Sequence, residues 1–102
     1  MSHKSEIQAI KKYVACLGGT VNVLHQSGRL SGSAGIPDIY VQMPRLQRAF
    51  WFEVKVGRDK LRPAQEAFIE REATCGRRVI VGNLDTLIQY ATPSSVIENK
   101  ET

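Results

Sequence analysis

The stretch Gly35-Ile-Pro-Asp-Ile-Tyr-Val-Gln42, followed after a polar break by Phe50-Trp-Phe-Glu-Val-Lys-Val56, decides the fold of this chain. Ile39 to Gln42 and Phe50 to Val56 are mostly β-branched or aromatic, residue types that suit a pleated, half-buried surface. Each predicts a short strand. Met43 to Ala49 is a short connection, so the simplest arrangement is an antiparallel hairpin. Side chains alternate across a strand, which puts Phe50, Phe52, Val54 and Val56 on one face and Trp51, Glu53 and Lys55 on the other. A carboxylate and an ammonium therefore leave the same face of a largely apolar strand. Asp38, just after Pro37, stands at the entrance of the first strand and comes close to Glu53 if the hairpin pairs. Two neighbouring carboxylates repel and call for a cation. An oxygen-rich site with room for water suits Mg²⁺ or Mn²⁺. Lys55 beside it is placed to hold an attacking water or a phosphate oxygen, a constellation suited to metal-assisted hydrolysis of a phosphodiester.

Outward from this stretch, the chain alternates helical and strand patterns. Ile7, Ile10, Val14 and Leu17 recur at helical spacing and predict a helix from Ser5 to Leu17, with Ser5 and Gln8 as a capping box and Gly18-Gly19 as its stop. Glu6 falls in the first turn, where a carboxylate interacts well with the helix dipole. Thr20 to His25 predicts a strand, and neither His25 nor His3 has a partner at metal-ligand spacing. Gln26 to Gly35 is a glycine- and serine-rich loop whose spacing matches no phosphate-binding pattern. Arg29, its only charge, is a candidate for a DNA-backbone contact. Gly35 predicts an unusual backbone angle or a close approach before the Pro37-Asp38 corner. Trp51 is read as a packing residue.

Lys55, Arg58, Lys60 and Arg62 form the densest positive stretch and suit a phosphate-guiding rim. Pro63 opens a helix running to about Cys75, with Ala64, Ala67, Phe68 and Cys75 as a partial apolar stripe and Gly76 as its end. Gln65 lies in its first turn. Arg77 to Gly82 predicts a strand, and Asn83 caps a last helix from Leu84 to about Ala91, with Leu84, Leu87 and Ile88 inward. The element order is α-β-β-β-α-β-α. Residues 1–92 read as a single domain and 93–102 as a polar tail.

A chain of 102 residues with 42% apolar content has room for one modest core. The net charge of +4 permits nucleic-acid binding without establishing it. No apolar run reaches membrane-spanning length, and the N-terminus lacks a signal-peptide core. The two cysteines, Cys16 and Cys75, are far apart in sequence and fit free thiols in a reducing cytoplasm. No cysteine or serine nucleophile stands near a base, which argues against covalent hydrolase chemistry.

Pro37-Asp38 followed by Glu53-Val54-Lys55 resembles the PD-(D/E)xK nuclease signature. Together with Glu6, Gly35, Leu61-Arg62-Pro63-Ala64-Gln65 and Gly76, it resembles the virus-type replication-repair nuclease (VRR-Nuc) domain over roughly residues 5–91. The resemblance implies an α/β, restriction-endonuclease-like core with a central mixed β-sheet flanked by helices. It implies that Asp38, Glu53 and the backbone carbonyl of Val54 bind the metal, with Glu6 contributing directly or through water. Lys55 would orient the attacking water, and Gln65 would help to place the water or the scissile phosphate. Small stand-alone members from phages and bacteria are similar to resolvases that cut four-way (Holliday) DNA junctions as homodimers. The expectation is therefore a homodimeric, structure-selective DNA endonuclease in the cytoplasm of a bacterial or phage-infected host cell. Its dimer surface is expected on apolar residues of the last helix and tail. A non-catalytic DNA-binding protein with a nuclease fold, or a flap-cutting or sequence-specific endonuclease, stays open.

Overall fold

The hairpin forms where the residue pattern puts it. In the structure, a computed structural model that describes residues 2–24 and 35–91, strand β2 (Ile39–Met43) pairs antiparallel with β3 (Arg48–Val54). The register sets Ile39 opposite Phe52 and Met43 opposite Arg48. A single 3-10 turn, Pro44–Leu46, makes the connection, and Gln47 closes it in the left-handed region at φ 53°. Strand β1 (Thr20–Val23) adds antiparallel to β2, and β4 (Val79–Gly82) adds parallel to β3, so the sheet order is β1-β2-β3-β4. The helices are α1 (His3–Cys16), α2 (Pro63–Thr74) and α3 (Leu84–Ala91). The mixed sheet, its flanking helices and their order agree with the sequence expectation.

Alternation sorts the two faces of the sheet. Ile39, Val41 and Met43 of β2 and Phe50, Phe52 and Val54 of β3 are buried on one face. Ile10 and Val14 of α1 and Leu87 and Ala91 of α3 pack over them to form the core. Removing each such side chain from water contributes about 1.5–3 kcal/mol, which offsets the entropy of ordering the chain. On the opposite face Trp51 meets Phe68 of α2 edge-on at 5.6 Å and Tyr40 at 4.9 Å, the packing role expected of it.

Some expected boundaries and faces differ. Helix α1 starts at His3 because Ser2 caps it: the Ser2 hydroxyl accepts the Ser5 N–H at 3.0 Å, and the Ser5 hydroxyl in turn accepts the Ser2 N–H at 3.2 Å. This reciprocal box satisfies donors that a start at Ser5 would have left to Gln8. The α2 stripe is weaker than expected. Ala64 and Cys75 are exposed, Ala67 and Phe68 are half-buried, and Gln65 is the only buried residue of the helix. The helix meets the sheet through its first turn and Phe68, so a continuous apolar stripe is not required. Strand β3 ends at Val54, although the Lys55 N–H still donates to the Gly82 carbonyl at 2.8 Å. Helix α3 puts Leu87 and Ala91 into the core, with Leu84 and Tyr90 packed against it, whereas Ile88, expected inward, is half-buried and outside that cluster. Residues 92–102, the tail expected to share the subunit contact with this helix, lie outside the described residues. No helix among the described residues is long and apolar enough to cross a membrane.

Candidate active site

The two parallel strands end side by side at Val54 and Gly82. The first turns of all three helices reach this end of the sheet: His3 of α1 touches Val54, Gln65 of α2 touches Glu53, and the Leu84 N–H of α3 bonds to Glu6. Crevices at the carboxyl ends of parallel strands are where α/β proteins bind ligands, and free N–H groups at helix starts favour anions.

Asp38 and Glu53 meet here for a reason that is local in each case. One residue beyond the Ile39–Phe52 pair, the antiparallel register sets Asp38 opposite Glu53. Asp38 is held from both sides: its carbonyl accepts the Leu24 N–H at 2.9 Å, and its Oδ2 accepts the Val54 N–H at 2.9 Å. Gly35, three residues earlier, has φ +87° and lies so close to the first turn of α2 that a Cβ there would stand 2.2 Å from the Ala64 carbonyl oxygen. The expected close approach thus locks the Asp38 corner to the helix that carries Gln65.

Glu53 is 2% exposed. Its Oε2 accepts the Gln65 amide N–H at 2.7 Å and lies 3.4 Å from the Lys55 ammonium. Burial, and next the Asp38 charge beside it, push the Glu53 carboxyl up to about 7, against the smaller opposing pull of Lys55. Gln65 is buried and almost fully engaged, rather than exposed. Its Oε1 accepts from Lys55 Nζ at 3.2 Å and from the Arg62 N–H at 2.7 Å, while its Nε2 donates to Glu53. The amide therefore holds the carboxylate and the ammonium apart at a set spacing and ties both to the start of α2.

The donor chemistry fits a hard divalent cation. Two carboxylates converge, Glu53 buried and Asp38 half-buried, where one ammonium leaves the charge under-compensated. Among the described residues no group of three or more His, Cys, Asp or Glu side chains is arranged to hold a metal. A cation at this place would thus rest on the two carboxylates, a backbone carbonyl and water, the sparse oxygen set that Mg²⁺ accepts. Glu6 is engaged elsewhere. It is 5% exposed, and its Oε2 accepts the Leu84 N–H at 2.6 Å, so it caps α3 as well as standing one helical turn from His3. Arg58, Lys60 and Arg62 are all exposed on the segment joining β3 to α2. Arg29 lies outside the described residues.

One residue of the site escapes the sequence pattern. His3 Nε2 lies 2.7 Å from the Val54 carbonyl oxygen and 3.3 Å from Asp38 Oδ2. The signal that could have found it is the Ser2-x-x-Ser5 box, which starts the helix early enough to put His3 and Glu6 on one face at i, i+3 spacing.

Comparison with known proteins agrees with this fold. The family model described as "VRR-NUC domain" matches residues 2–83. A solved structure titled "VRR_NUC domain" is 30% identical in sequence and superposes with a TM-score of 0.66, over 87% of this chain and 97% of that one. No curated protein sequence matches. The match spans the whole Asp38–Gln65 constellation and all four strands, and the chain belongs to the VRR-NUC domain family, whose fold is that of a nuclease.

Proposed function

We propose that this domain is a metal-dependent, structure-selective DNA endonuclease of the PD-(D/E)xK type, of the small phage or bacterial kind, which resolves four-way junctions as a homodimer. The observation that carries this is the buried Glu53 carboxylate, with the half-buried Asp38 carboxylate opposite it and Lys55 set beside it by Gln65. A protein that only bound DNA would gain nothing from two adjacent carboxylates facing phosphate. Asp38, Glu53 and the Val54 carbonyl would hold Mg²⁺ or Mn²⁺, with Glu6, whose Oε2 accepts the Leu84 N–H, joining through water rather than directly. Such a cation supplies a polarised phosphoryl oxygen and an acidified water.

The chain's own residues do the rest. Lys55 orients the attacking water and offsets the negative charge that develops on the phosphate. Gln65 is a positioning residue, because its amide fixes both Glu53 and Lys55. Arg58, Lys60 and Arg62, exposed on the segment before α2, hold the DNA backbone, and Arg29 is assigned the same role from its sequence position alone. The helix starts around the site add partial positive charge where a phosphate would lie. One small domain carries one site, and symmetrical cutting of a junction needs two, which favours a homodimer. The free thiols of Cys16 and Cys75 suit a reducing cytoplasm, in a bacterial or phage-infected cell.

The test is cleavage of a labelled panel of four-way junction, flap, splayed arm and linear duplex with Mg²⁺ or Mn²⁺, comparing the protein with Asp38→Asn. Metal-dependent cutting of the junction that disappears in the variant is the expected result. Cutting of flaps alone would keep the chemistry and discard the junction. Junction binding without cleavage of any substrate would make the domain a binding module.

A further inference from the structure

We propose that His3 is an internal stand-in for the metal, holding the cation-binding oxygens in the metal-free protein and giving way when the cation binds. This inference rests on the proposed metal site. A carbonyl oxygen only accepts hydrogen bonds, so the contact of His3 Nε2 with the Val54 carbonyl at 2.7 Å requires that Nε2 carry the hydrogen. The same N–H lies 3.3 Å from Asp38 Oδ2. Two of the oxygens assigned to the metal thus converge on one positively polarised hydrogen. The neutral imidazole supplies that N–H, so a charged ring is not required.

Position makes the arrangement a competition. A divalent cation approaches each oxygen to about 2.0–2.1 Å for Mg²⁺. An imidazole nitrogen lying between the Val54 and Asp38 oxygens occupies the space through which a cation shared by both must pass. His3 has somewhere to go: it is the first residue of α1 and its side chain is 41% exposed. The capping box of Ser2 and Ser5 holds the helix start without it. Rotation of the ring toward solvent therefore breaks two contacts and leaves the fold in place. While it is docked, the ring keeps the Asp38 and Val54 oxygens aimed at one point.

The experiment is Mn²⁺ binding by titration calorimetry on the full chain, its His3→Ala variant and its Asp38→Asn variant, with a parallel Mg²⁺ titration followed by NMR of the His3 ring. Losing one internal hydrogen bond that competes with the cation is expected to tighten Mn²⁺ binding in His3→Ala by about two- to tenfold. Asp38→Asn should weaken it, and the His3 ring resonances should shift as Mg²⁺ saturates. Unchanged affinity in His3→Ala overturns the proposal. Weaker affinity also overturns it and makes His3 a ligand instead. Absence of Mn²⁺ binding by the unmodified chain, or equal binding by Asp38→Asn, overturns the metal site itself. The two failures are thus distinguishable.

Discussion

Replacing Gly35 with alanine tests whether the Asp38 corner and the start of α2 are truly locked together. Two costs add at this position. Gly35 has φ +87°, where a Cβ is penalised by about 1–2 kcal/mol. The added Cβ would also stand 2.2 Å from the Ala64 carbonyl oxygen and 2.6 Å from its carbon, so backbone must move. Overpacking of that kind costs about 1–3 kcal/mol more. The sum, about 2–5 kcal/mol, is a large share of the roughly 5–15 kcal/mol that stabilises a domain of this size. An internal control exists. Gly76 has nearly the same backbone angle, φ +79°, but a Cβ added there would meet nothing within 4 Å. Gly76→Ala should therefore cost only the backbone part, about 1–2 kcal/mol. At about 4–8 °C per kcal/mol, Gly35→Ala should lower Tm by roughly 8–40 °C and Gly76→Ala by roughly 4–16 °C. Urea unfolding followed by circular dichroism, with calorimetry for Tm, measures both. If Gly35→Ala costs no more than Gly76→Ala, the close contact with Ala64 is not part of what positions Asp38.

Three further outcomes are expected. In chelated, metal-free protein, the Glu53 carboxyl is raised from 4.5 to about 7, so its ionisation opposes folding: the penalty is absent below 4.5 and complete above about 7. Glu53→Gln should therefore stabilise the metal-free protein by about 1–3 kcal/mol at pH 8 and by nothing at pH 4.5, and an equal effect at both pH values in urea unfolding would contradict it. Lys55→Met removes the ammonium 3.4 Å from Glu53 and should lower the cleavage rate about 10²–10³-fold at unchanged secondary structure; retention of a tenth of the activity would remove Lys55 from the chemistry. Gln65→Ala frees Glu53, Lys55 and the Arg62 N–H at once, and should lower kcat about 10–100-fold with little change in KM, as a lost positioning contact does. A change confined to KM would make Gln65 a substrate contact instead.

The strands are legible because period-two alternation is a local property of the chain. Phe50, Phe52 and Val54 face the core and Trp51 and Glu53 face away, as their order alone requires. Capping chemistry is legible for the same reason at Gly18, Gly76 and Asn83, where Asn83 Oδ1 accepts the Thr86 N–H at 3.2 Å. At the N-terminus two serines compete for the cap, and choosing Ser5 over Ser2 loses two residues of helix and with them His3. The apolar stripe of α2 is shorter than its residues suggest, because composition cannot say how much sheet a helix has available to cover.

The candidate site divides along the same line. Its residue types and the pairing of Asp38 with Glu53 follow from the sequence, since a short hairpin leaves few registers and one face must be buried. What each side chain touches depends on where separate elements come to rest. Glu6 bonds to Leu84, 78 residues away, and His3 to Val54, 51 residues away. The burial that lifts Glu53, and the placing of Gln65 between it and Lys55, arise only when α2 docks on the sheet. Sequence by itself determined the elements, the faces and the chemical inventory, because these depend on neighbours along the chain. Tertiary structure decided the hydrogen-bond partners and the charge balance, because desolvation and Coulomb interactions depend on distances between parts of the chain that only folding brings together.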